Sequence, residues 1–245
     1  MASAEARAAV HISKFLAKTE ERAEFNQYYY SKDTLSALLA SLRELGAVRI
    51  AFLSTPSVYF SMTPEERKLS YVFDLDDEQF GSDPRFVKYD FNQPLGFPSE
   101  LTGAFDAVVI DPPFITREVW EKYTETARAL LAKDPLAALP AAAPETAPAE
   151  EDSSTEADGG AGAAAGAEPA EPAAAAASGR RTTRGLVLSA PIAENRAMMK
   201  ELRGVEPTRF RPCIPNLVYQ YDLYANYPSP ALAVKNAEVP DPDDD

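Results

Sequence analysis

Four consecutive residues carry the clearest chemical information in the chain. Asp111-Pro112-Pro113-Phe114 directly follows the apolar run at 107–110. The two prolines fix φ and remove two backbone donors, so the segment enters neither a helix nor a sheet ladder easily. The Asp111 carboxylate and the Pro112 carbonyl then remain as acceptors that hold an amine nitrogen, with its lone pair directed away from them. Phe114 offers a ring face to a planar base or a cation. These residues predict a site where an amine attacks an electrophile, mainly through positioning.

Three other predicted strands also end in polar residues. The first ends in Ser54-Thr55-Pro56-Ser57 instead of a glycine-rich loop, which argues against an ordinary dinucleotide site. Its hydroxyls would donate to a bound carboxylate, or the segment is simply a polar turn. Asp74 ends the second and suits ribose hydroxyls, unless it belongs to a solvated acidic loop. Asp90 ends the third, where it would accept from an adenine amine beside Phe91, or else cap a turn.

Alternating helix and strand patterns place these four segments at one edge of a sheet. Helices are predicted at 33–46 with Asp33 as cap, at 116–131 and at 192–202, and a capping box at 63–66. Strands are predicted at 48–53, 71–74, 86–89, 107–110 and 185–189, before a closing hairpin at 208–211 and 218–227. This order predicts an α/β fold of the Rossmann-like, seven-stranded methyltransferase type, with a mostly parallel sheet and a terminal antiparallel hairpin.

The charge of the chain is concentrated in two segments. The net charge is −14, of which −8 lies in residues 134–180 and −5 in residues 236–245, so the remainder is close to neutral. The first segment is rich in Ala, Pro and Glu and has no aromatic residue, so it cannot offset the entropy of ordering. We therefore expect a single domain at 1–235, interrupted by a disordered insertion at 134–180 and followed by a disordered acidic tail at 236–245.

Other features restrict the class of protein. No apolar run reaches the ~18 residues of a membrane span, and the N-terminus lacks the pattern of a secretory signal. Cys213 is the single cysteine, which excludes an intramolecular disulfide and a thiolate zinc cluster. These observations predict a cytoplasmic protein without a metal site or membrane contact.

Several strings of the sequence together resemble a known family. They are Phe25-Asn26-Gln27-Tyr28-Tyr29-Tyr30-Ser31, Ser54-Thr55-Pro56-Ser57-Val58-Tyr59, Phe73-Asp74-Leu75-Asp76, Tyr89-Asp90-Phe91-Asn92-Gln93-Pro94-Leu95 and Phe105-Asp106-Ala107-Val108-Val109-Ile110-Asp111-Pro112-Pro113-Phe114. They resemble the eukaryotic lysine methyltransferases of translation elongation factor 1-alpha, a family first named for N6-adenine-specific DNA methylation. The similarity covers residues 24–131 and 185–227, and the glycine-free loop at 54–57 is a trait of that family.

The resemblance implies that S-adenosylmethionine donates a methyl group to a lysine of the elongation factor, without a metal. Asp74 would hold the ribose, Asp90 with Phe91 the adenine, and residues 54–57 the methionine end. Residues 111–114 would hold the target nitrogen, with Asp111 also facing the cofactor, and Tyr30 would close over the site. Phe114 occupies a position at which many members of the family have Tyr. The resemblance implies no role for the insertion at 134–180.

Two other functions remain open from the sequence. An N6-adenine methyltransferase acting on RNA or DNA would use the same motif on a flipped base. Such an enzyme should carry a basic face, but no basic cluster exceeds Arg180-Arg181 with Arg184. The nearly neutral remainder of the chain thus favours a protein partner over nucleic acid. A non-catalytic module with the same fold is the third possibility, and the oligomeric state is left open.

Overall fold

The computed structural model describes residues 4–132, 186–191 and 195–240. Its helices are α1 (Ala4–Lys18), α2 (Lys32–Leu45), α3 (Pro56–Ser61), α4 (Asp77–Phe80), α5 (Arg117–Leu130) and α6 (Arg196–Arg203). Its strands are β1 (Ile50–Leu53), β2 (Tyr71–Asp74), β3 (Phe86–Lys88), β4 (Ala107–Ile110), β5 (Leu186–Pro191), β6 (Glu206–Pro207) and β7 (Tyr221–Ala225). Three short 3-10 helices lie at Ala23–Phe25, Ser99–Leu101 and Pro230–Leu232.

The strands follow the order β3-β2-β1-β4-β5-β7-β6. Strands β3, β2, β1 and β4 are parallel, and Leu53 of β1 pairs with Phe73 on one side and Ile110 on the other. Strand β5 is parallel to β4, whereas β7 is antiparallel to both β5 and β6. The predicted α/β fold, with parallel strands and a terminal antiparallel pair, is confirmed. The strand order reverses between β1 and β4, so ligands are expected beyond the carboxyl ends of these two strands.

Both faces of the parallel strands are covered. Successive residues of a strand point to opposite faces. Ala51 and Leu53 accordingly join a buried cluster with Trp120 of α5 and Met199 of α6. Phe52 belongs to a second cluster, on which α1, α2 and α3 pack. Burial on both faces explains why these strands are continuous apolar runs instead of alternating ones.

The N-cap of α2 is not the residue that the sequence predicts. Ser31, not Asp33, caps the helix: its hydroxyl accepts from the Thr34 N–H at 3.1 Å, because the helix begins at Lys32. At the other end Gly46 has a φ of +67°, a left-handed conformation that costs glycine little.

The predicted capping box forms but does not start a helix. The Thr63 N–H donates to Glu66 Oε2 at 2.9 Å, and the Glu66 N–H donates to Thr63 Oγ1 at 3.3 Å. Residues 64–69 are nevertheless turns. Because β2 begins at Tyr71, too few residues remain for a helix to propagate after its costly first turn.

The closing pair is shorter than predicted. The strand expected at 208–211 is instead the two-residue β6, which pairs with β7 at Glu206 and Pro207. The Thr208 N–H still donates to the Leu223 carbonyl of β7 at 2.7 Å, but the Phe210 N–H donates to the Leu232 carbonyl at 3.0 Å, so the chain leaves β7 within the predicted strand.

Some predictions lie outside the described residues. These are the insertion at 134–180 and the last part of the tail, 241–245. The first part of the predicted tail, 236–240, is hydrogen-bonded: Asn236 donates to the Arg211 carbonyl at 2.9 Å, and Glu238 accepts from the Ser31 hydroxyl. Within the described ranges, no helix is long and apolar enough to cross a membrane.

Candidate active site

A single cleft at the carboxyl ends of the parallel strands collects all of the predicted site residues. They are Tyr30, Ser54, Thr55, Pro56, Ser57, Asp74, Asp90, Phe91, Asp111, Pro112, Pro113 and Phe114. The cleft lies where the strand order reverses, between the ends of β1 and β4. The fold therefore brings together five segments that are far apart in the sequence.

Asp111 is fixed at the end of β4 by its own backbone and by Tyr30. Its N–H donates to the Leu53 carbonyl at 3.2 Å, and the Tyr30 hydroxyl donates to Asp111 Oδ2 at 2.5 Å. Burial raises the pKa of Asp111 to about 7, and the hydrogen bond from Tyr30 acts in the opposite direction. Asp111 therefore holds a proton more readily than an exposed aspartate does.

The two residues after Pro112 differ in exposure and partners. The carbonyl of Pro113 accepts from the side-chain amide of Asn26, which has a φ of +52°. The ring of Phe114 is 52% exposed and meets Phe91 edge-on, with 6.3 Å between the ring centroids. Phe114 thus lies at the mouth of the cleft. Asn26, which comes from the N-terminal part of the chain, lines the same cleft next to Pro113.

The glycine-free loop after β1 takes a conformation that usually needs glycine. Ser54 has a φ of +52°, and its N–H donates to the Phe73 carbonyl at 2.8 Å. Its hydroxyl lies 2.6 Å from the Tyr123 hydroxyl. Helix α3 begins inside this segment with Pro56 as its first residue, a favoured position for proline.

Asp74 is a buried carboxylate at the end of β2. Its Oδ1 accepts from the Asp76 N–H at 3.0 Å. Burial raises the pKa of Asp74 to about 6, and the nearby charge of Asp76 adds to the increase. Asp76 itself pairs with Arg22 at 2.9 Å, and Arg22 also pairs with Glu78 at 3.0 Å.

At the end of β3, Asp90 forms the turn that was one of its two predicted roles. Asp90 Oδ1 accepts from the N–H of Asn92 at 2.9 Å and from its side-chain amide at 3.0 Å. The neighbouring Phe91 ring lies 6.0 Å from the ring of Tyr123, and both rings line the cleft. A planar ligand could therefore rest on an aromatic wall beside this carboxylate.

Several residues that line the cleft were not predicted as site residues from the sequence, among them Asn26, Tyr123 and Tyr221. Tyr123 shares the apolar side of α5 with Trp120, which is typical of a core position, so nothing local marks it. Tyr221 begins β7, and its pKa is raised by burial and by the charge of Asp111. Asn26 occurs in one of the strings that resemble the family, but the resemblance implies no role for it. Their contacts arise from tertiary packing, for which the sequence carries no local pattern.

The charges of the cleft are of one sign. Its lining contains the carboxylates of Glu24, Asp74, Asp90 and Asp111, and none of its described lining residues is Lys, Arg or His. Such a lining favours cationic ligands and disfavours phosphates. Across the described part of the chain, no group of three or more His, Cys, Asp or Glu side chains is arranged to hold a metal ion.

Comparison with known proteins defines the class to which this fold and cleft belong. The model of a family described as "Probable N6-adenine methyltransferase" matches residues 21–229. The match includes every strand and the whole cleft lining, so the chain belongs to this family.

Individual relatives carry more specific names. The protein-lysine N-methyltransferase EFM5 of Saccharomyces cerevisiae is 35% identical over 119 residues, which are 44% of this chain and 48% of that protein. The EEF1A lysine methyltransferase 1 of Homo sapiens is 34% identical over 118 residues, 45% of this chain and 54% of that protein. The protein-lysine N-methyltransferase M142.8 of Caenorhabditis elegans is 31% identical over 132 residues, 48% of this chain and 60% of that protein. The chain thus matches about half the length of the first two of these relatives.

Proposed function

We propose that the protein is an S-adenosylmethionine-dependent protein-lysine N-methyltransferase that acts on translation elongation factor 1-alpha. The observation that carries the proposal is the position of Asp111-Pro112-Pro113-Phe114 at the end of β4, in a cleft lined by carboxylates and by no described basic residue. The names of the relatives support lysine as the acceptor. We assign the sheet to the seven-stranded Rossmann-like methyltransferase fold, in a single domain at 1–235, and expect a cytoplasmic location.

The cleft fits the cofactor by its polar groups and by its charge. Asp74 is proposed to hold the ribose, Asp90 and Phe91 the adenine, and residues 54–57 the methionine end. These groups follow β2, β3 and β1, three adjacent strands, so their order along the sheet edge can match the order of the three parts. When bound, S-adenosylmethionine supplies a methyl group made electrophilic by the positive sulfur, and its positive charge suits the acidic lining.

Asp111 is proposed to orient the lysine amine. Tyr30 occupies Asp111 Oδ2, which leaves Oδ1 to accept a hydrogen bond from the amine. A lysine with a pKa of ~10.4 must lose a proton before its lone pair can attack, and desolvation in the cleft favours the neutral amine. Since the pKa of Asp111 is about 7, it is a much weaker base than the lysine, so orientation is its main role.

A nucleic-acid substrate is less compatible with the cleft, despite the family's description. Binding of a flipped adenine needs cations for the flanking phosphates, which supply much of the affinity. The described cleft lining offers none, and its carboxylates would repel the phosphates. We therefore propose a protein partner and retain adenine methylation as an outcome of the test.

The decisive experiment offers labelled S-adenosylmethionine with purified elongation factor 1-alpha, RNA or DNA. We expect label on lysine of the protein, and a loss of at least about 100-fold in kcat with Asp111→Ala, because the amine loses its orienting acceptor. Asp33→Ala, which removes an exposed carboxylate of α2, serves as the control and should retain full activity.

Label on adenine, or full activity of Asp111→Ala, would contradict this function. Calorimetry with S-adenosylmethionine separates the third possibility, since a chain without detectable cofactor binding would be a non-catalytic module.

A further inference from the structure

Two loops at the mouth of the cleft expose large apolar side chains. Phe114 is 52% and Ile115 37% exposed, immediately after the proline pair. Val218 is 91% and Tyr219 71% exposed, between the cleft-lining residues Leu217 and Tyr221. We call Phe114, Ile115, Leu217, Val218 and Tyr219 the rim patch. Single exposed apolar residues are ordinary, but a group of them on the loops of one cleft indicates a binding surface.

Hydrogen bonds hold the second loop in shape. The Leu217 N–H donates to the Ile214 carbonyl at 3.0 Å, and the Gln220 side chain donates to the Pro212 carbonyl at 2.9 Å. The Asn216 side chain donates to Glu21 Oε2 at 2.7 Å, which ties the loop to the N-terminal side of the cleft. The exposure of Val218 and Tyr219 is thus a property of a pre-formed loop. A pre-formed surface binds with a smaller entropic cost than a loop that must first become ordered.

We propose that the rim patch is the docking surface for the polypeptide that flanks the substrate lysine. This inference rests on the proposed function and names the recognition surface of that same site. The rim patch is continuous with the cleft, because Phe114, Ile115 and Leu217 also line it. The carboxylates Glu24, Asp90 and Asp111 behind it complement the positive charge of a lysine side chain. Apolar and aromatic contacts at the rim then hold the neighbouring residues of the same polypeptide.

The same features argue against a nucleic acid at the rim patch. Tyr219 alone could stack on a base, but single-stranded nucleic acid also needs a positively charged groove along its backbone. The described residues of the cleft lining supply only negative charge. The polypeptide is therefore the occupant that both the apolar rim and the acidic interior fit.

The test uses the full chain with the double substitution Val218→Ser and Tyr219→Ser. We expect the KM for elongation factor 1-alpha to rise roughly tenfold, as for the loss of a tyrosine hot spot and its neighbour. The kcat should stay within about twofold, and the Kd for S-adenosylmethionine, measured by calorimetry, should not change, because the cofactor groups are untouched. The single variant Val218→Ser should change the KM in the same direction by a smaller factor.

The matched control is Leu69→Ser. Leu69 is 42% exposed and lies two residues before the start of β2, so it is at the edge of the sheet opposite the cleft. The KM, kcat and Kd of the Leu69→Ser variant should equal those of the unaltered chain. An unchanged KM in the double variant would show that the rim patch is not the docking surface, and would leave the proposed function intact. The choice of a polypeptide as the occupant would be wrong if a single-stranded RNA competed with the elongation factor for the unaltered chain but not for the double variant. Absence of label from the unaltered chain would overturn the proposed function, and with it the partner.

Discussion

At the scale of single residues, the hydrogen bond from Tyr30 lowers the pKa of Asp111, the proposed orienting acid, against the larger and opposite effect of burial. Burial alone favours the protonated carboxyl, whereas a hydroxyl that donates to the carboxylate favours the ionised form. Tyr30 is itself buried, so water does not readily take its place. The family string suggested only that Tyr30 closes over the site. The structure adds a direct hydrogen bond, through which Tyr30 can influence the reaction without touching the substrate.

Tyr30→Phe should therefore change the pH dependence of methylation. Without the hydroxyl, the pKa of Asp111 rises above 7, so a higher pH is needed to ionise it. The ratio of kcat/KM between the variant and the unaltered chain should fall about tenfold below pH 7 and recover toward about pH 9, as expected for a shift of one pKa unit. Because the ratio is taken at each pH, the ionisation of the substrate lysine cancels.

Tyr29→Phe is the control for this prediction. The acceptors within reach of the Tyr29 hydroxyl are Gln27 Oε1 at 2.9 Å and the Glu20 carbonyl at 3.1 Å, and neither belongs to Asp111, so the loss of this hydroxyl should leave the pH profile unaltered. A Tyr30→Phe ratio that is the same at every pH would show that Tyr30 does not act through Asp111.

The residue types of the site were predictable, but many of their partners were not. Asp74, Asp90 and Asp111 could be identified because acids directly after apolar strands meet at one edge of a parallel sheet. Tyr123 could not, because its spacing on α5 is that of any core residue, and only folding brings its hydroxyl to Ser54. The left-handed φ of Ser54 was also unpredictable, since serine rarely adopts that conformation.

At the scale of elements, residues 22–30, which connect α1 to α2, form a segment that crosses the cleft. Arg22 pairs with Asp76 after β2, Asn26 donates to Pro113 after β4, and Tyr30 donates to Asp111. The segment is thus attached on the side proposed for the ribose and on the side proposed for the target amine. A cofactor held beneath it would leave faster if one attachment were lost.

Arg22→Ala tests this role of the crossing segment. The side chain of Asp76 is fully buried and would lose its cation, so the loop after β2 should loosen next to Asp74. We expect the Kd for S-adenosylmethionine to rise about fivefold, mainly through faster dissociation in stopped-flow measurements. Arg22→Lys should restore only part of the affinity, because one ammonium cannot match the two-sided contacts of a guanidinium.

Arg7→Ala provides the comparison for this variant, since Arg7 is exposed on α1. Equal dissociation rates for Arg22→Ala and Arg7→Ala would rule out an attachment at Arg22.

The parallel strands were predictable, whereas the ends of the chain's last elements were not. Short apolar runs between helices indicate buried strands, and β2 and β4 have the predicted bounds. The first strand of the terminal pair was placed too far along the chain, because its aromatic content suggested pairing with β7, whereas the Phe210 N–H donates to the Leu232 carbonyl instead. The N-cap of α2 lies two residues before the predicted one, since Ser31 and Asp33 both suit the start of a helix.

At the scale of the whole molecule, nearly all of the net charge comes from segments of the sequence other than those that line the cleft. Segments 134–180 and 236–245 carry nearly all of the net charge of −14. The fold class was predictable without either segment, because the elements that define it lie outside them. The function of the longer segment was not predictable, since its composition gives no pattern that chemistry requires.

Deletion of residues 134–180 should leave cofactor binding intact. The segment follows α5 and precedes β5, and closure of a loop depends only logarithmically on its length. We expect a Kd for S-adenosylmethionine within about twofold of that of the full chain, together with cooperative thermal unfolding.

A deletion that extends through β5 is the contrasting variant. It removes the strand between β4 and β7 and should abolish cooperative unfolding. If the deletion of residues 134–180 also abolished cooperative unfolding, the domain would need this insertion in order to fold, and the proposed division of the chain would be wrong.

The two buried carboxylates, Asp74 and Asp111, should couple ligand binding to proton release. With pKa values of about 6 and about 7, both carry bound protons for part of the time near neutral pH. A cation that enters the cleft favours their ionised forms, so their protons pass to the buffer as the ligand binds. The apparent affinity for a positively charged ligand then increases with pH across this range, and the measured heat of binding depends on the ionisation enthalpy of the buffer.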